Sequence, residues 1–135
     1  MSENISATRL NTLIDEPDQE FDVRAALFFQ GKEYALLPSN LPFQIGRDET
    51  VCQLVVDSEL ASRNHCAIVM KDGQLGLLDT STNGSVVKFG RADSIVVHRK
   101  FLPLAGQGCF KLGEKIDLND PNLIMFKVTK VGVAS

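Results

Sequence analysis

Short apolar runs, each closed by a turn residue, recur from residue 21 almost to the end of the sequence. The runs are rich in Val, Ile, Leu and Phe, and Gly, Pro, Asp or Asn returns about every 8 to 12 residues, a spacing typical of all-β proteins. No helical periodicity continues through this region. Strands this short bury a core only when they pair in two packed sheets or in a barrel. The pattern therefore predicts an all-β fold.

We predict a two-sheet β-sandwich of about ten to eleven short strands, extending from Phe21 to about Val131. The apolar runs indicate strands at residues 23–29, 32–37, 43–45, 53–56, 65–70, 74–79, 86–88, 94–102, 109–112 and 123–131. The clearest hairpin turns at Lys71-Asp72-Gly73, because Gly accepts the positive φ of a tight hairpin. Residues 89–93 are expected to form either a turn or an irregular insertion.

The first 20 residues differ in composition from the rest of the chain. They contain the acidic cluster Asp15-Glu16-Pro17-Asp18 and few large apolar side chains. This composition favours a flexible acidic tail, with a helical turn near residues 10–14. Residues 21–131 then form one domain, since a chain of 135 residues is close to the usual size of a single domain.

Charge and hydropathy restrict the classes of partner. A net charge of −3 and a pI near 5.3 disfavour nucleic-acid binding, because nucleic-acid-binding domains usually carry a basic excess. The longest apolar runs are far shorter than the roughly 20 residues that cross a bilayer, so no membrane contact is expected. The first residues contain neither a basic nor an apolar segment, so we expect no secretory signal and a cytoplasmic location.

The three cysteines, Cys52, Cys66 and Cys109, are odd in number and unclustered. This favours buried free thiols in a reducing compartment over a disulfide framework. The neighbours His65 and Cys66 would diverge on a strand, and the other cysteines lack the paired spacing of a metal site. We therefore expect no metal and no cofactor.

Three polar loops interrupt the β pattern, at residues 45–48, 58–65 and 79–84. Loops on a rigid sandwich are where binding residues usually lie. The first loop offers a guanidinium, the second a hydroxyl beside a guanidinium, and the third an amide at a turn. The residues concerned are Arg47, Ser62, Arg63, Thr82 and Asn83. Together they indicate a donor-rich site for an anion, and an Arg fork with a hydroxyl matches a phosphate group well.

These loops resemble a known family. Gly46-Arg47, Ser62-Arg63-Asn64-His65 and Ser81-Thr82-Asn83-Gly84, in this order, are similar to the Gly-Arg, Ser-x-x-His and Asn-Gly pattern of forkhead-associated domains. The segment 108–113 is similar to the late strand of that family, so the resemblance extends from about Phe21 to Lys130. The resemblance implies a β-sandwich that binds phosphothreonine in partner proteins, and hence an indirect link to a Ser/Thr kinase.

The resemblance also implies a role for each matched residue. Arg47 and Ser62 would hold the phosphate oxygens, with Arg63 adding charge. Asn83 would bind the backbone of the peptide, with Thr82 beside it. Three further residues, Gly46, His65 and Gly84, would shape the loops, and His65 would do so by tying the serine loop through a hydrogen bond.

The sequence departs from the family after Gly84, where Ser-Val-Val-Lys replaces the usual Thr, hydrophobic residue and second Asn-Gly turn. Selectivity in the family comes from residues near the serine loop and after the Asn-Gly turn, which here are Leu60, Ser85 and Lys88. Leu60 suggests tolerance of an apolar residue three places after the phosphothreonine. The family occurs both in free-standing adaptors and inside larger proteins, so a larger parent protein is one of the expected contexts.

Single polar residues carry little weight alone. Arg47 by itself is typical of a solvated strand end, and Asn83-Gly84 of a hairpin turn. Their combination with Ser62 favours a site. The segment 98–100, His-Arg-Lys, has no such companions and is predicted to be a solvated strand segment.

An enzyme would need a different arrangement. Ser62 and His65 suggest a hydrolase pair, but side chains three residues apart on an extended segment point to opposite faces. No Gly-x-Ser-x-Gly elbow occurs in the sequence. We therefore expect no enzymatic activity.

Two other interaction hypotheses stay open. In the first, the domain binds its partner through another face, independently of phosphate. In the second, Thr12, three residues before Asp15, is phosphorylated, and the tail occupies the pocket of its own domain or of a neighbour at high effective concentration.

Overall fold

The computed structural model describes residues 21–133, which form two β-sheets. In chain order the strands are β1 (Phe21–Phe29), β2 (Lys32–Leu36), β3 (Phe43–Gly46), β4 (Leu54–Val55), β5 (Cys66–Lys71), β6 (Gln74–Asp79), β7 (Ser85–Phe89), β8 (Ile95–Val97), β9 (Phe101–Pro103), β10 (Gly106–Leu112) and β11 (Ile124–Val133). A 3-10 turn at Pro38–Asn40 is the one helical element within this part of the chain. The all-β prediction is confirmed, whereas the predicted tail and Thr12 lie outside the described residues.

One sheet has six strands in the order β2-β1-β11-β10-β7-β8, and the other has five in the order β4-β3-β5-β6-β9. The core lies between them because alternate residues of each strand are apolar and point inward. Leu27, Phe110 and Phe126 are buried on the six-stranded side, and Ile45 and Leu77 on the five-stranded side. Each such side chain contributes about 1.5–3 kcal/mol when it is fully buried.

The predicted hairpin between β5 and β6 is confirmed. Lys71 pairs with Gln74, and the two turn residues Asp72 and Gly73 have φ values of 51° and 78°. Positive φ at both central residues is the geometry whose twist matches that of the flanking strands. The stretch 89–93 is a turn, in which the Ala92 N–H donates to the Phe89 carbonyl at 2.9 Å.

The prediction of a single strand at residues 94–102 is wrong. The segment divides into β8, which pairs with β7, and β9, which pairs with β6 in the opposite sheet. Between them Arg99 has a φ of 55°, far from the extended backbone of a regular strand, and its backbone N–H donates to Asp79 Oδ1 at 3.0 Å. A buried carboxylate therefore stops the strand and sends the chain across the sandwich.

Lys111 is a buried cation in β10. Its ammonium contacts Glu114 and lies 3.0 Å from Asp120, both in the loop that leads to β11. Burial opposes the charge, but the two carboxylates outweigh this effect and raise the pKa of Lys111. The side chain is only 1% exposed, and its ammonium ends among partly exposed carboxylates. The ion pairs fasten this loop to the sheet.

The three polar loops meet at one end of the sandwich. Ser85 at the start of β7 is opposite Leu112 in β10, and Ile124 of β11 is paired next to this end. The loops that follow β3, β4 and β6 also contact one another there: the Arg47 N–H donates to the Ser62 carbonyl at 3.0 Å, and the Thr80 N–H to the His65 carbonyl at 3.1 Å. Residues far apart in the sequence are thereby brought into one site.

Candidate functional site

Arg47 leaves β3 at an exposed position and is held by the neighbouring loop. Its Nε–H donates to the Ala61 carbonyl at 3.1 Å, which fixes the plane of the guanidinium. A guanidinium has five N–H donors, so four remain for other partners. Gly46 allows the loops to approach this closely, because a Cβ at this position would lie 2.8 Å from the His65 backbone nitrogen.

Ser62 is half-buried, and its hydroxyl already has one partner. The Thr82 N–H donates to Ser62 Oγ at 3.1 Å. An N–H group can only donate, so this bond uses an oxygen lone pair and leaves the hydroxyl proton for an acceptor. The arrangement prepares Ser62 as a hydrogen-bond donor.

His65 is fully buried and ties two loops together. Its Nδ1 accepts from the Ser62 N–H at 3.0 Å, and its Nε2–H donates to the Gly84 carbonyl at 2.8 Å. These partners require the neutral tautomer with the proton on Nε2. Burial lowers the pKa of His65. It outweighs the hydrogen bond to Gly84 and the charge of Asp79, which both act to raise that pKa. Both ring nitrogens are occupied, so His65 is not placed to take a proton from the Ser62 hydroxyl.

Residues 62–65 are not extended, so the argument that the side chains of Ser62 and His65 point to opposite faces does not apply. Arg63 and Asn64 form a turn, and this turn brings the Ser62 N–H onto the imidazole of His65. The contact joins a backbone group to a side chain. It organises the loop and does not create a nucleophile–base pair of the kind that hydrolases use.

Asp79 is the buried centre of the third loop. Its carboxylate accepts from the Ser81 N–H, the Ser81 and Ser85 hydroxyls and the Arg99 N–H at 2.6–3.0 Å. Burial alone would raise the pKa of Asp79, but the hydrogen bonds from Ser85, Arg99 and Ser81 prevail and lower it. The carboxylate therefore stays ionised and fixes the turn. Sequence reasoning missed Asp79, although an Asp just before Thr-Ser-Thr-Asn-Gly is a typical start of an Asx turn.

Thr82 and Asn83 are exposed at the tip of the same turn. Asn83 Nδ2 donates to the Leu60 carbonyl at 3.1 Å, which leaves its Oδ1 and its second N–H for another partner. Gly84 has a φ of 83°, and its carbonyl also accepts from the Gly113 N–H at 2.9 Å. The amide of Asn83 is thus held at the rim of the site.

The other predicted residues occupy distinct places. Arg63 is exposed and, with Arg47 and Asp48, lines a shallow pocket of about 330 Å³. Leu60 is exposed beside the loop after β10, whose Gly113 contacts its backbone.

Ser85 is fully buried against Asp79, so its side chain supports the turn and does not face a ligand. Lys88 lies three residues further along β7, opposite Cys109.

His98 and Arg99, predicted to be a solvated strand segment, instead lie against the third loop. His98 Nε2 and Arg99 Nε contact the Ser81 carbonyl oxygen at 3.2 and 3.1 Å. Both side chains are on residues with exposed surface. No signal in the sequence near residues 98 and 99 points to this contact, because it depends on the strand break at Arg99.

A cavity of about 640 Å³, larger than the pocket beside Arg47, lies away from these loops, on the outer face of the six-stranded sheet. Phe28, Leu118, Leu123 and Met125 contribute apolar surface to it. A phosphate group would lose its hydration there without gaining donors. Size therefore does not identify the anion site, and the three loops remain the candidate.

Within residues 21–133, no group of His, Cys, Asp and Glu side chains has the arrangement of a metal site. The same part of the chain contains no helix long and apolar enough to cross a membrane.

The fold is similar to several solved structures of FHA domains. The FHA domain of MEK1, solved with a phosphothreonine peptide of HOP1, is 17% identical with a TM-score of 0.60, and the match covers 81% of this chain and 100% of that one. The N-terminal FHA domain of Saccharomyces cerevisiae Rad53p, also solved with a phosphothreonine peptide, is 14% identical with a TM-score of 0.56, and the match covers 83% and 94%. The FhaA FHA domain, solved with the intracellular domain of Rv3910, is 22% identical with a TM-score of 0.52, covering 76% and 99%.

No curated protein sequence matches the chain significantly. The sequence profile of the FHA domain, in contrast, matches residues 43–100. This segment begins at β3 and contains all three loops of the site. Residues 43–100 therefore match the forkhead-associated (FHA) domain family, and the β-sandwich described above has the fold of the solved FHA domains.

Proposed function

We propose that this chain is a phosphopeptide-binding module that recognises phosphothreonine in partner proteins. One observation carries the proposal. Ser62 Oγ accepts the Thr82 N–H, so its own proton is free to donate to a ligand, and the neighbouring loop holds a guanidinium whose plane is fixed by the Ala61 carbonyl. A phosphate carries about −1.5 to −2 charges and acceptor oxygens that match these donors.

In this mechanism, Arg47 and Ser62 bind the phosphate oxygens through charge-assisted hydrogen bonds, and the exposed Arg63 adds positive potential. Neutral His65 keeps the Ser62 backbone in place without donating to the ligand. Asn83 binds the peptide backbone with the amide groups that Leu60 leaves free, and Thr82 lies beside it. The similar FHA structures of MEK1 and Rad53p contain phosphothreonine peptides, which supports threonine as the phosphorylated residue.

The proposal extends to what the module does not do. It is a non-catalytic adaptor, since His65 is occupied at both nitrogens and the Ser62 hydroxyl is placed to bind. It needs no cofactor, and it binds neither nucleic acid nor membrane. A Ser/Thr kinase supplies its ligands. A cytoplasmic location is supported by the free, buried thiols of Cys52, Cys66 and Cys109.

Calorimetric titration with an oriented phosphothreonine peptide pool and its unphosphorylated twin tests the proposal. Only the phosphorylated pool is expected to bind. Arg47→Ala removes at least two charge-assisted bonds of about 1.5–3 kcal/mol each, so affinity should fall roughly a hundredfold or more. Arg91→Ala, at an exposed arginine in the 89–93 turn, is the matched control and should bind like the natural chain.

Equal binding of both pools would contradict phosphate recognition and favour an interaction through another face. Competition by a tail peptide phosphorylated at Thr12 would favour self-recognition. Failure of that peptide to compete, with the oriented pool still bound, would exclude it.

A further inference from the structure

One peptide group connects Arg99 to Ser62. The amide of the Ser81–Thr82 peptide donates to Ser62 Oγ at 3.1 Å, and the carbonyl of the same peptide accepts from Arg99 Nε at 3.1 Å. In a trans peptide these two groups point in opposite directions. Arg99 therefore binds the carbonyl of the same peptide group whose N–H binds the Ser62 hydroxyl oxygen.

The backbone of Arg99 is built for this contact. Its φ of 55° is uncommon for a residue other than glycine, and such conformations persist only where the surroundings enforce them. Here Asp79 enforces it, because its Oδ1 accepts both the Arg99 N–H and the Ser81 N–H at 3.0 Å. One carboxylate thereby fixes both partners of the contact.

The Ser81 carbonyl oxygen has room for two donors. Its second partner is His98 Nε2 at 3.2 Å, and a carbonyl oxygen has two lone pairs. The stronger donor is Arg99, because its guanidinium is always charged. A charged donor on a carbonyl polarises the whole peptide group and strengthens the N–H on its other side.

We propose that Arg99 is a positioning residue for phosphate recognition, acting on Ser62 through the Ser81–Thr82 peptide. The guanidinium strengthens the Thr82 N–H bond to Ser62 Oγ. This bond holds the oxygen by its lone pair and directs the hydroxyl proton towards the ligand. Arg99 thus orients a donor, the Ser62 hydroxyl, that it does not contact. The inference rests on the proposed binding of phosphate by Ser62.

The first test compares Arg99→Met with Lys100→Met. Each variant removes one positive charge from an exposed residue, and the two residues are neighbours. Neither change removes a backbone N–H, so the bond from the residue 99 N–H to Asp79 is kept. Affinity for the oriented phosphothreonine pool is expected to fall about fivefold for Arg99→Met and to stay within about twofold for Lys100→Met, because exposed charge is screened at physiological salt. Equal losses in both variants would overturn the proposal.

Arg99→Lys keeps a charged donor within reach of the Ser81 carbonyl. It should bind within about threefold of the natural chain. A Lys variant as weak as the Met variant, while thermal unfolding is unchanged in both, would contradict a role for the charge.

A double-mutant cycle with Ser62→Ala identifies the route. If Arg99 acts through the Ser62 hydroxyl, Arg99→Met has almost no further effect in the Ser62→Ala background. A fivefold loss in both backgrounds would overturn the proposal, because a purely long-range charge effect does not need the hydroxyl.

The free protein gives a readout that does not depend on ligand. The Thr82 amide proton resonance should move upfield and exchange faster with solvent in Arg99→Met than in Lys100→Met, as its hydrogen bond weakens. If the natural chain fails to prefer the phosphorylated pool, the proposed function fails. If it does prefer that pool and the Thr82 amide is unchanged in Arg99→Met, only the role of Arg99 fails.

Discussion

At the scale of single residues, buried polar side chains fix the positions of the exposed polar side chains that would contact a ligand. Asp79 is 1% exposed and receives bonds from Ser81, Ser85 and Arg99, which belong to three different segments. A buried carboxylate is costly unless such bonds compensate for the water it has lost. The same bonds therefore explain both why the charge is tolerated and why the turn has a single geometry.

Replacing Asp79 with Asn tests this role. The amide keeps one acceptor oxygen but presents an NH₂ group to hydroxyls that now donate to a carboxylate, so at least one bond is lost. Hydrogen bonds to charged groups contribute about 1.5–3 kcal/mol each, and we expect the free energy of unfolding to fall by about 2–4 kcal/mol in urea titrations. Asp93→Asn, at an exposed position, should change it by less than about 0.5 kcal/mol. A stable Asp79→Asn variant would contradict this account.

His65 gives stability a dependence on pH. Its pKa is lowered in the folded chain, whereas the unfolded chain has the usual value of about 6.5. The unfolded state therefore binds more protons below this pH, so the free energy of unfolding should decrease as pH falls from 7.5 to 5.5, by up to about 1.4 kcal/mol per pH unit.

Urea unfolding at several pH values measures this decrease. His98→Gln leaves His65 as the one histidine of the chain and should retain the decrease. A flat profile in this variant would assign the effect to other groups.

At the scale of elements, buried polar groups fix two irregular segments, the break between β8 and β9 and the loop after β10. Lys111 fastens that loop through Glu114 and Asp120. Replacing a buried pair with apolar groups is often neutral, whereas removing one partner leaves a charge without compensation. Replacing Lys111 with an apolar residue and neutralising its two carboxylate partners should therefore have different effects on the free energy of unfolding.

We expect Lys111→Met to change the free energy of unfolding by less than about 1 kcal/mol, since the two carboxylates can remain hydrated. The double change Glu114→Gln with Asp120→Asn leaves the buried ammonium without a counter-charge and should cost about 2 kcal/mol or more. Chemical unfolding of both variants makes the comparison. A larger loss in Lys111→Met than in the double variant would contradict it.

At the scale of the whole molecule, the local sequence pattern predicts the fold, but it predicts only part of the candidate site. Alternating apolar residues and Gly-containing turns predict strands and the β5–β6 hairpin, because these features depend on near neighbours. The break at Arg99 does not follow, since its positive φ is imposed by Asp79, 20 residues away in the sequence. The residues proposed for phosphate binding could be selected from their loops, and the Asx-turn pattern could have indicated Asp79. The position of Arg99 required the contacts between loops.

The pairing of the first and last strands has a practical result. Phe21 pairs with Val133, whereas Phe28 pairs with Met125 near the end where the three loops meet. The nine residues of β1 cover about 30 Å at roughly 3.3 Å per residue. The backbones of Phe21 and Val133 thus lie about the length of β1 away from the end of the sheet where the loops meet, so a dye or a second module joined at either residue should not obstruct what the loops bind.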